Sequence, residues 1–161
     1  MLSCQYTRAP PAGGQIEARS SAVHNPRPRR FDDWELAAYV PGPVDGPLAV
    51  AAARRLCDAG AKVVVVTRAQ APILVVPADD EPLEVVPPAL PLGFREECGD
   101  TMMGAIAAGW TRGLSLSETL VLGAAAGSVN FLRHGLGTGT RATVEELAGR
   151  IVVRRVADGA R

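Results

Sequence analysis

The chain has 161 residues, the length of one ordinary domain, and its 17 basic and 17 acidic residues give a formal net charge of zero. This balance argues against a dedicated nucleic-acid binder, whose affinity depends on clustered cations. Hydrophobic residues make up 47% of the chain but aromatic residues only 4%, so we expect a core of aliphatic side chains.

The N-terminal segment differs in composition from the rest of the chain. Residues 1–30 are rich in proline, glycine and arginine and show no apolar periodicity. Such a segment buries too little surface to offset its ordering entropy. We therefore predict a disordered tail over residues 1–30 and a single α/β domain over residues 31–155.

The first part of the domain has the pattern of helices followed by a buried strand. A short helix is predicted from Asp32, and a second over residues 48–59, ended by Gly60. The continuous β-branched run over residues 62–67 predicts a strand buried on both faces. Together with the preceding helix, this strand forms half of a βαβ unit.

Two further strands and a helical C-terminal part follow. The strands are predicted over residues 73–76 and 83–86, and the remainder is predicted to be helical. One helix spans residues 100–112 and another begins at the Ser115–Glu118 capping box and ends near residue 134. Thr143 and Glu146 form a second capping box, which predicts the start of the last helix. The helix around residues 119–132 is apolar nearly all round, so we expect it to be buried between layers.

The three cysteines, Cys4, Cys57 and Cys98, are far apart in the chain and form no CxxC pair. Their spacing predicts neither a disulfide framework nor a metal site, and it fits a reducing compartment. No apolar run approaches the roughly 18 residues that span a bilayer, and the N-terminus lacks a signal core. We expect a cytoplasmic protein that binds neither membrane nor nucleic acid.

The strongest sign of chemistry is the sequence Glu97-Cys98-Gly99-Asp100 at the start of a predicted helix. The first amides of a helix have no intrahelical acceptor, and the macrodipole makes that end partly positive, so an anion binds there favourably. A carboxylate beside such amides can take a proton from a substrate hydroxyl during phosphoryl transfer. The alternative is structural, with Asp100 as the N-cap of the helix.

Residues 99–139 resemble the C-terminal signature of the PfkB (ribokinase-like) carbohydrate kinases, most closely the minor phosphofructokinase branch. The run Cys98-Gly99-Asp100-Thr101-Met102-Met103-Gly104 matches that signature except at its first glycine. The similarity continues through residues 113–118 and 123–128 and ends in the glycine-rich loop, residues 135–139. Overall it covers about residues 28–150.

The resemblance implies a fold and an activity. The fold is the C-terminal half of a ribokinase-like α/β/α sandwich, truncated relative to the family. The activity is transfer of the ATP γ-phosphate to a hydroxyl of a sugar or sugar phosphate, with ATP and Mg²⁺ required. A homodimer or association with another chain is possible. The alternative is a catalytically inert remnant that at most binds a nucleotide or serves as an interaction module.

The resemblance also implies roles for individual residues. Asp100 corresponds to the catalytic base, and the amides of Cys98, Gly99 and Asp100 to the anion hole. Glu35 corresponds to a residue that organises Mg²⁺ through water, although it could equally cap a helix that begins at Asp32. Four positions border the nucleotide in the resemblance: Thr67, Asn130, Arg133 and Gly135. Asn130 and Arg133 could also be polar positions near a helix end, and Cys98 could simply fill space.

Three positions depart from the family pattern in ways that bear on activity. Glu97 occupies the first signature glycine, where a positive φ would cost a non-glycine residue roughly 1–2 kcal/mol. If its carboxylate pointed at a phosphate 4 Å away, the repulsion would be about 4 kcal/mol at an effective dielectric of 20. After the strand at residues 62–67, Ala69 and Pro72 stand where the family has glycines.

Overall fold

The computed structural model describes residues 29–32, 46–68, 71–91 and 93–156. They form five strands and four helices, in the chain order β1 (Arg29–Asp32), α1 (Gly46–Asp58), β2 (Val63–Arg68), β3 (Ala71–Pro77), β4 (Leu83–Val86), α2 (Cys98–Thr111), α3 (Leu116–Phe131), α4 (Arg141–Ala148) and β5 (Val152–Arg155).

The strands form one sheet in the order β1-β2-β3-β4-β5. β1 and β2 are parallel, with Arg30 opposite Val65, and the other neighbouring pairs are antiparallel. The parallel pair is connected through α1, as expected for the predicted βαβ unit. The predictions of β2, β3 and β4 are confirmed to within two residues at each end.

Several boundaries differ from the predictions. β1 includes Arg29 and Arg30, so the predicted tail extends two residues too far. Asp32, where a helix was predicted to begin, is the last residue of this strand. The other residues of the predicted tail, and the predicted helix after Asp32, lie outside the described residues.

The last helix begins after Thr140, whose hydroxyl accepts a hydrogen bond from the Thr143 amide, so the predicted capping box at Thr143 is wrong. β5 was not predicted, because Val-Val-Arg-Arg lacks a two-residue hydrophobic alternation.

The core has two faces because the side chains of a strand alternate between the two sides of the sheet. One set of β-strand side chains packs against α1: Val64, Val66, Leu74 and Val76, with Ala49, Ala52 and Ala53 from the helix. The opposite set packs against α2 and α3: Val63, Val65, Val75 and Val85, with Met102, Ile106, Leu120 and Ala124. The result is a three-layer α/β/α sandwich, as predicted.

The composition of this core follows from the sequence. Within the described ranges, every buried hydrophobic residue is Ala, Val, Ile, Leu or Met. The Ser115–Glu118 capping box is present at the start of α3, and most of that helix is buried, as predicted. None of the helices in the described part of the chain is long and apolar enough to cross a membrane.

Helices α2 and α3 approach each other closely through a glycine. A Cβ atom on Gly123 of α3 would lie 2.6 Å from Cγ1 of Ile106 in α2 and 3.3 Å from the carbonyl oxygen of Met102. A larger residue at position 123 would force the Ile106 side chain or one of the two helices to shift.

The Gly123→Ala substitution is therefore expected to destabilise the protein by about 1–3 kcal/mol, because the added methyl overpacks the contact between α2 and α3. Gly104→Ala is the matched control, since a Cβ on Gly104 of α2 would meet nothing within 4 Å. This second change should stabilise the protein by about 0.5–1 kcal/mol through helix propensity. Urea unfolding of both variants measures the difference, and equal effects would contradict the packing argument.

A second structural feature is an ion-pair network around Glu84 of β4, which pairs with Arg68 of β2 and Arg154 of β5. The Glu84 carboxylate accepts hydrogen bonds from Arg68 Nη2 at 3.2 Å and from Arg154 Nη2 at 2.9 Å, and its side chain is 19% exposed. Burial by itself would raise the pKa of Glu84, but the hydrogen bonds from Arg154 and Arg68 outweigh it and hold the pKa below its ordinary value.

Because this pKa is lowered on folding, the network should stabilise the protein above the ordinary pKa of glutamate. The contribution should disappear as the pH falls through the lowered value. Glu84→Gln should destabilise the protein by roughly 1–3 kcal/mol at pH 7, and the difference from wild type should shrink toward pH 3. Urea unfolding at a series of pH values measures it, with the exposed Glu145→Gln as control. A pH-independent difference would show that the charge of Glu84 contributes nothing.

Candidate active site

The residue before α2 has an unusual backbone conformation. Glu97 has φ 62° and ψ 3°, in the left-handed region, and is the one non-glycine residue with positive φ in the described ranges. Its side chain makes no hydrogen bond to the helix that it precedes. The position therefore has the geometry that the first signature glycine would supply, and we estimate the strain at roughly 1–2 kcal/mol.

Two amides at the N-terminus of α2 lack acceptors. The Thr101 amide donates to the Glu97 carbonyl at 2.9 Å, and the Cys98 amide lies 3.5 Å from the Arg95 carbonyl. Within the described residues, the amides of Gly99 and Asp100 have no such partner. They lie at the positive end of a 14-residue helix, which is favourable for an anion.

Asp100 is the third residue of α2 and is exposed to solvent. The N-cap position belongs to Glu97, so the alternative interpretation of Asp100 as the N-cap is wrong. A carboxylate in the first turn has a favourable interaction with the helix dipole. Its position places a carboxylate in the same turn as the two unpaired amides.

The last turns of α3 hold the segment that leads into α2. A Cβ on Gly127 would lie 3.1 Å from the Cys98 carbonyl, and a Cβ on Gly93 would lie 2.0 Å from the Phe131 carbonyl. The Phe94 amide donates to that same carbonyl at 2.7 Å. The approach at Gly93 requires glycine, and the one at Gly127 is tight, so the path of residues 93–98 is determined by contact with α3.

Asn130 connects this segment to the glycine-rich loop. Its Nδ2 donates to the Glu96 carbonyl at 3.2 Å and lies 3.9 Å from the Cys98 sulfur, while its Oδ1 accepts from the Gly137 amide at 3.0 Å. The residue is 2% exposed. The structure therefore brings Asn130 together with Cys98 and the loop, although the sequence indicated no contact between them.

The glycine-rich loop begins where α3 ends. Gly135 and Gly137 have positive φ values of 90° and 64°, which explains the glycines at these positions. Arg133 is exposed and its amide donates to the Asn130 carbonyl at 3.0 Å. The His134 ring lies against the Phe94 ring, with centroids 3.5 Å apart. The loop thus follows the buried Asn130 and leaves Arg133 and Gly135 at the surface.

The Cys98 thiol is held in its protonated form. It donates a hydrogen bond to the Phe94 carbonyl at 3.1 Å. Burial raises the pKa of Cys98 above its ordinary value, and the neighbouring Glu96 carboxylate acts in the same direction, while the hydrogen bond with Asn130 opposes them. A reactive thiolate is therefore not favoured here, which fits a space-filling role for the side chain.

The remaining predicted site residues lie elsewhere or outside the described ranges. Thr67 is near the carboxyl end of β2, at the point where the register between β2 and β3 shifts. Pro72 lies within β3, where its carbonyl accepts a hydrogen bond from Arg68 Nε at 2.8 Å. Glu35 lies outside the described residues. In the part of the chain that is described, no three His, Cys, Asp or Glu side chains converge to hold a metal ion.

The sequence analysis placed Asn130, near the end of α3, at the nucleotide site, but it missed how α3 positions the segment that leads into α2. Gly93, Phe94 and Gly127 received no role, because their importance depends on contacts between segments far apart in the chain. One signal was available for Asn130. A polar residue in an otherwise apolar helix must find hydrogen-bond partners when it is buried.

A family model for pfkB family carbohydrate kinases matches residues 32–143. Among solved structures, a protein assigned as a phosphofructokinase from Staphylococcus aureus aligns with a TM-score of 0.72 and 19% identity, covering 80% of this chain and 42% of that one. Phosphofructokinase-2 from Escherichia coli, in complex with substrates and products, aligns with a TM-score of 0.66 and 28% identity, covering 76% and 40%.

Ribokinase from Arabidopsis thaliana, complexed with ribose and ATP, aligns with a TM-score of 0.67 and 22% identity, covering 75% of this chain and 40% of that one. The fold is therefore ribokinase-like, as expected from the sequence. The chain spans about two fifths of the length of these structures. A comparison with curated protein sequences finds no match.

Replacing Glu97 by glycine should stabilise the protein by roughly 1 kcal/mol, because glycine adopts the left-handed conformation without strain. Glu96→Gly is the matched control, since Glu96 does not have positive φ and glycine there only increases the entropy of the unfolded chain. We expect Glu96→Gly to be neutral or destabilising. Chemical unfolding of both variants measures this, and a destabilised Glu97→Gly protein would rule out strain at position 97.

Proposed function

The chain belongs to the pfkB family of carbohydrate kinases, and we propose that it takes part in ATP-dependent phosphoryl transfer to a hydroxyl of a sugar or sugar phosphate. One observation carries the proposal: the amides of Gly99 and Asp100 are unpaired at the N-terminus of α2, in the same turn as the Asp100 carboxylate. Amide donors and a base are the groups that this transfer requires.

Asp100 is the proposed catalytic base. Its carboxylate takes the proton of the sugar hydroxyl as the hydroxyl oxygen attacks the γ-phosphorus of ATP. The new oxygen–phosphorus bond forms as the bond to the β-phosphate oxygen breaks, and ADP leaves. Asp100 is exposed, so its carboxylate can be reached by a substrate hydroxyl.

The amides of Gly99 and Asp100, with that of Cys98, are the proposed anion hole. Negative charge is distributed over the oxygens of the phosphoryl group during transfer, and amides that are already oriented stabilise it without reorganisation. The Glu97 carbonyl accepts from the Thr101 amide, as at any helix start, and the amides of Gly99 and Asp100 have no backbone partner in the described residues. The Cys98 amide makes a hydrogen bond of 3.5 Å to the Arg95 carbonyl, which it would give up to bind an anion.

The nucleotide is proposed to bind along the glycine-rich loop. Arg133 and Gly135 are exposed there, and arginine is well suited to phosphate oxygens. Thr67 is the proposed contact at the end of β2. The ATP-bound ribokinase from Arabidopsis thaliana, which has the same fold, supports ATP as the phosphoryl donor.

Mg²⁺ belongs to the proposed reaction, but the described residues do not supply a ligand set for it. No group of three acidic, histidine or cysteine side chains converges in the described ranges, and Glu35 lies outside them. We derive no step through the metal. Glu35 as an indirect ligand and association with a second chain or a second copy both stay predictions from the sequence.

A second candidate function is supported by Glu97. Its carboxylate adds negative charge next to the proposed anion hole, where the family signature has glycine, and like charges repel there. In that case the domain binds adenine nucleotide without transferring phosphate. Measurements of binding and turnover on the same protein distinguish the two functions.

Asp100→Asn should reduce sugar-dependent ATP turnover by about 10²–10⁴-fold, because the amide cannot accept the hydroxyl proton. ATP affinity, measured by calorimetry, should change by less than about threefold. A coupled ADP-release assay with a panel of hexoses and hexose phosphates measures turnover. The control is Asp79→Asn, another exposed aspartate, in the turn between β3 and β4.

Each outcome of this experiment has a defined meaning. Unchanged turnover in Asp100→Asn would remove Asp100 from the mechanism. ATP binding without turnover in the wild-type protein would favour the nucleotide-binding function. Absence of both activities would contradict both proposals.

A further inference from the structure

We propose that Asn130 is a positioning residue that holds the glycine-rich loop at a set distance from the anion hole, and that it does not contact the nucleotide. The inference rests on the proposed function, because it concerns how two parts of that site are aligned. Asn130 would act through the backbone of Gly137 on one side and of Glu96 on the other.

The burial and the contacts of Asn130 support an indirect role. The residue is 2% exposed, and both halves of its amide are used within the protein. The Nδ2 group donates to the Glu96 carbonyl at 3.2 Å, and Oδ1 accepts from the Gly137 amide at 3.0 Å. A direct bond to a nucleotide would require the Asn130 amide to give up one of these two hydrogen bonds.

The two contacts connect segments that are far apart in the chain. Glu96 is 34 residues before Asn130, and Gly137 is seven residues after it. Glu96 immediately precedes Glu97, whose left-handed conformation starts α2. Gly137 lies in the middle of the glycine-rich loop. A single side chain therefore links the backbone that forms the proposed anion hole to the backbone that borders the proposed nucleotide site.

An amide side chain suits this link because it offers a donor and an acceptor at the same time. The partners settle its orientation: the oxygen faces the Gly137 N–H, and the nitrogen faces the Glu96 carbonyl and the Cys98 sulfur. Ionised aspartate at position 130 offers only acceptors, so one of its oxygens would lie against the Glu96 carbonyl oxygen and the two would repel each other. Protonated aspartate has one donor and one acceptor and can replace both hydrogen bonds.

The functional consequence is alignment of the ATP phosphates with the amides of Gly99 and Asp100. A displacement of about 1 Å in a group that positions substrate can cost about 10²-fold in rate. Loss of the Asn130 link should therefore weaken nucleotide binding and also lower kcat, since both the loop and the anion hole lose a shared support. A contribution to folding alone would lower stability without either change.

The test compares Asn130→Ala and Asn130→Asp with wild type. Thr119→Val serves as the control, because Thr119 is also buried in α3 and its hydroxyl has no hydrogen-bond partner in the described residues. Three quantities are measured below the unfolding transition of every variant: ATP affinity by calorimetry at pH 5 and pH 8, kcat and KM for ATP, and hydrogen exchange of the Gly137 amide by NMR.

We expect Asn130→Ala to weaken ATP binding at least tenfold at both pH values, to lower kcat, and to speed Gly137 exchange at least tenfold. Thr119→Val should change none of these. Asn130→Asp should be impaired at pH 8 and approach wild type at pH 5, because burial favours the protonated carboxyl. If Asn130→Ala does not fold, the inference is tested by the ATP affinity of Asn130→Asp relative to wild type, compared between pH 5 and pH 8.

ATP binding within twofold of wild type in Asn130→Ala, or unchanged Gly137 exchange, would overturn the inference. So would an Asn130→Asp protein that behaves identically at both pH values. If wild type binds no ATP, the proposed function fails, but the link through Asn130 can still be tested. Faster Gly137 exchange in Asn130→Ala would then support the link between loop and helix. Unchanged exchange would refute it.

Discussion

The close contact between α2 and α3 determines where the groups of the candidate active site lie. Glycines at positions 123 and 127 bring α3 within van der Waals distance of Ile106 and of the Cys98 carbonyl. Because interiors are densely packed, the two helices have little freedom to slide. The N-terminus of α2, with its unpaired amides and Asp100, therefore takes its position from α3 rather than from its own local sequence.

The sheet supplies the rigid base for this pair of helices. Its two faces carry alternate valines of β2, so one helix layer packs on each side and neither face of β2 or β3 is left to solvent. Aliphatic side chains dominate both layers. The groups of the candidate active site lie at a helix end and in a loop beside this sheet, where backbone amides can bind a ligand.

Two opposing contributions act at the candidate site: the backbone amides with the helix dipole, and the carboxylate side chains near the helix start. The left-handed turn at Glu97 exposes amides that a regular helix start would also leave unpaired, and the dipole of α2 adds a partial positive charge. Against this, Glu96, Glu97 and Asp100 surround the helix start with carboxylates. The balance between these opposing terms bears on which of the two proposed functions applies, phosphoryl transfer or nucleotide binding without transfer.

Periodicity, capping residues and the resemblance are all local in the chain, and they were enough to predict the fold class, the central strands, the buried α3 and a helix start near Gly99. These local signals did not predict the short edge strand β5, the start of α4 or the role of Asn130. Those depend on partners far away in sequence: β5 exists because it pairs with β4, and Asn130 is buried because Glu96 and Gly137 meet at its amide. Only the tertiary structure brings such groups to hydrogen-bonding distance.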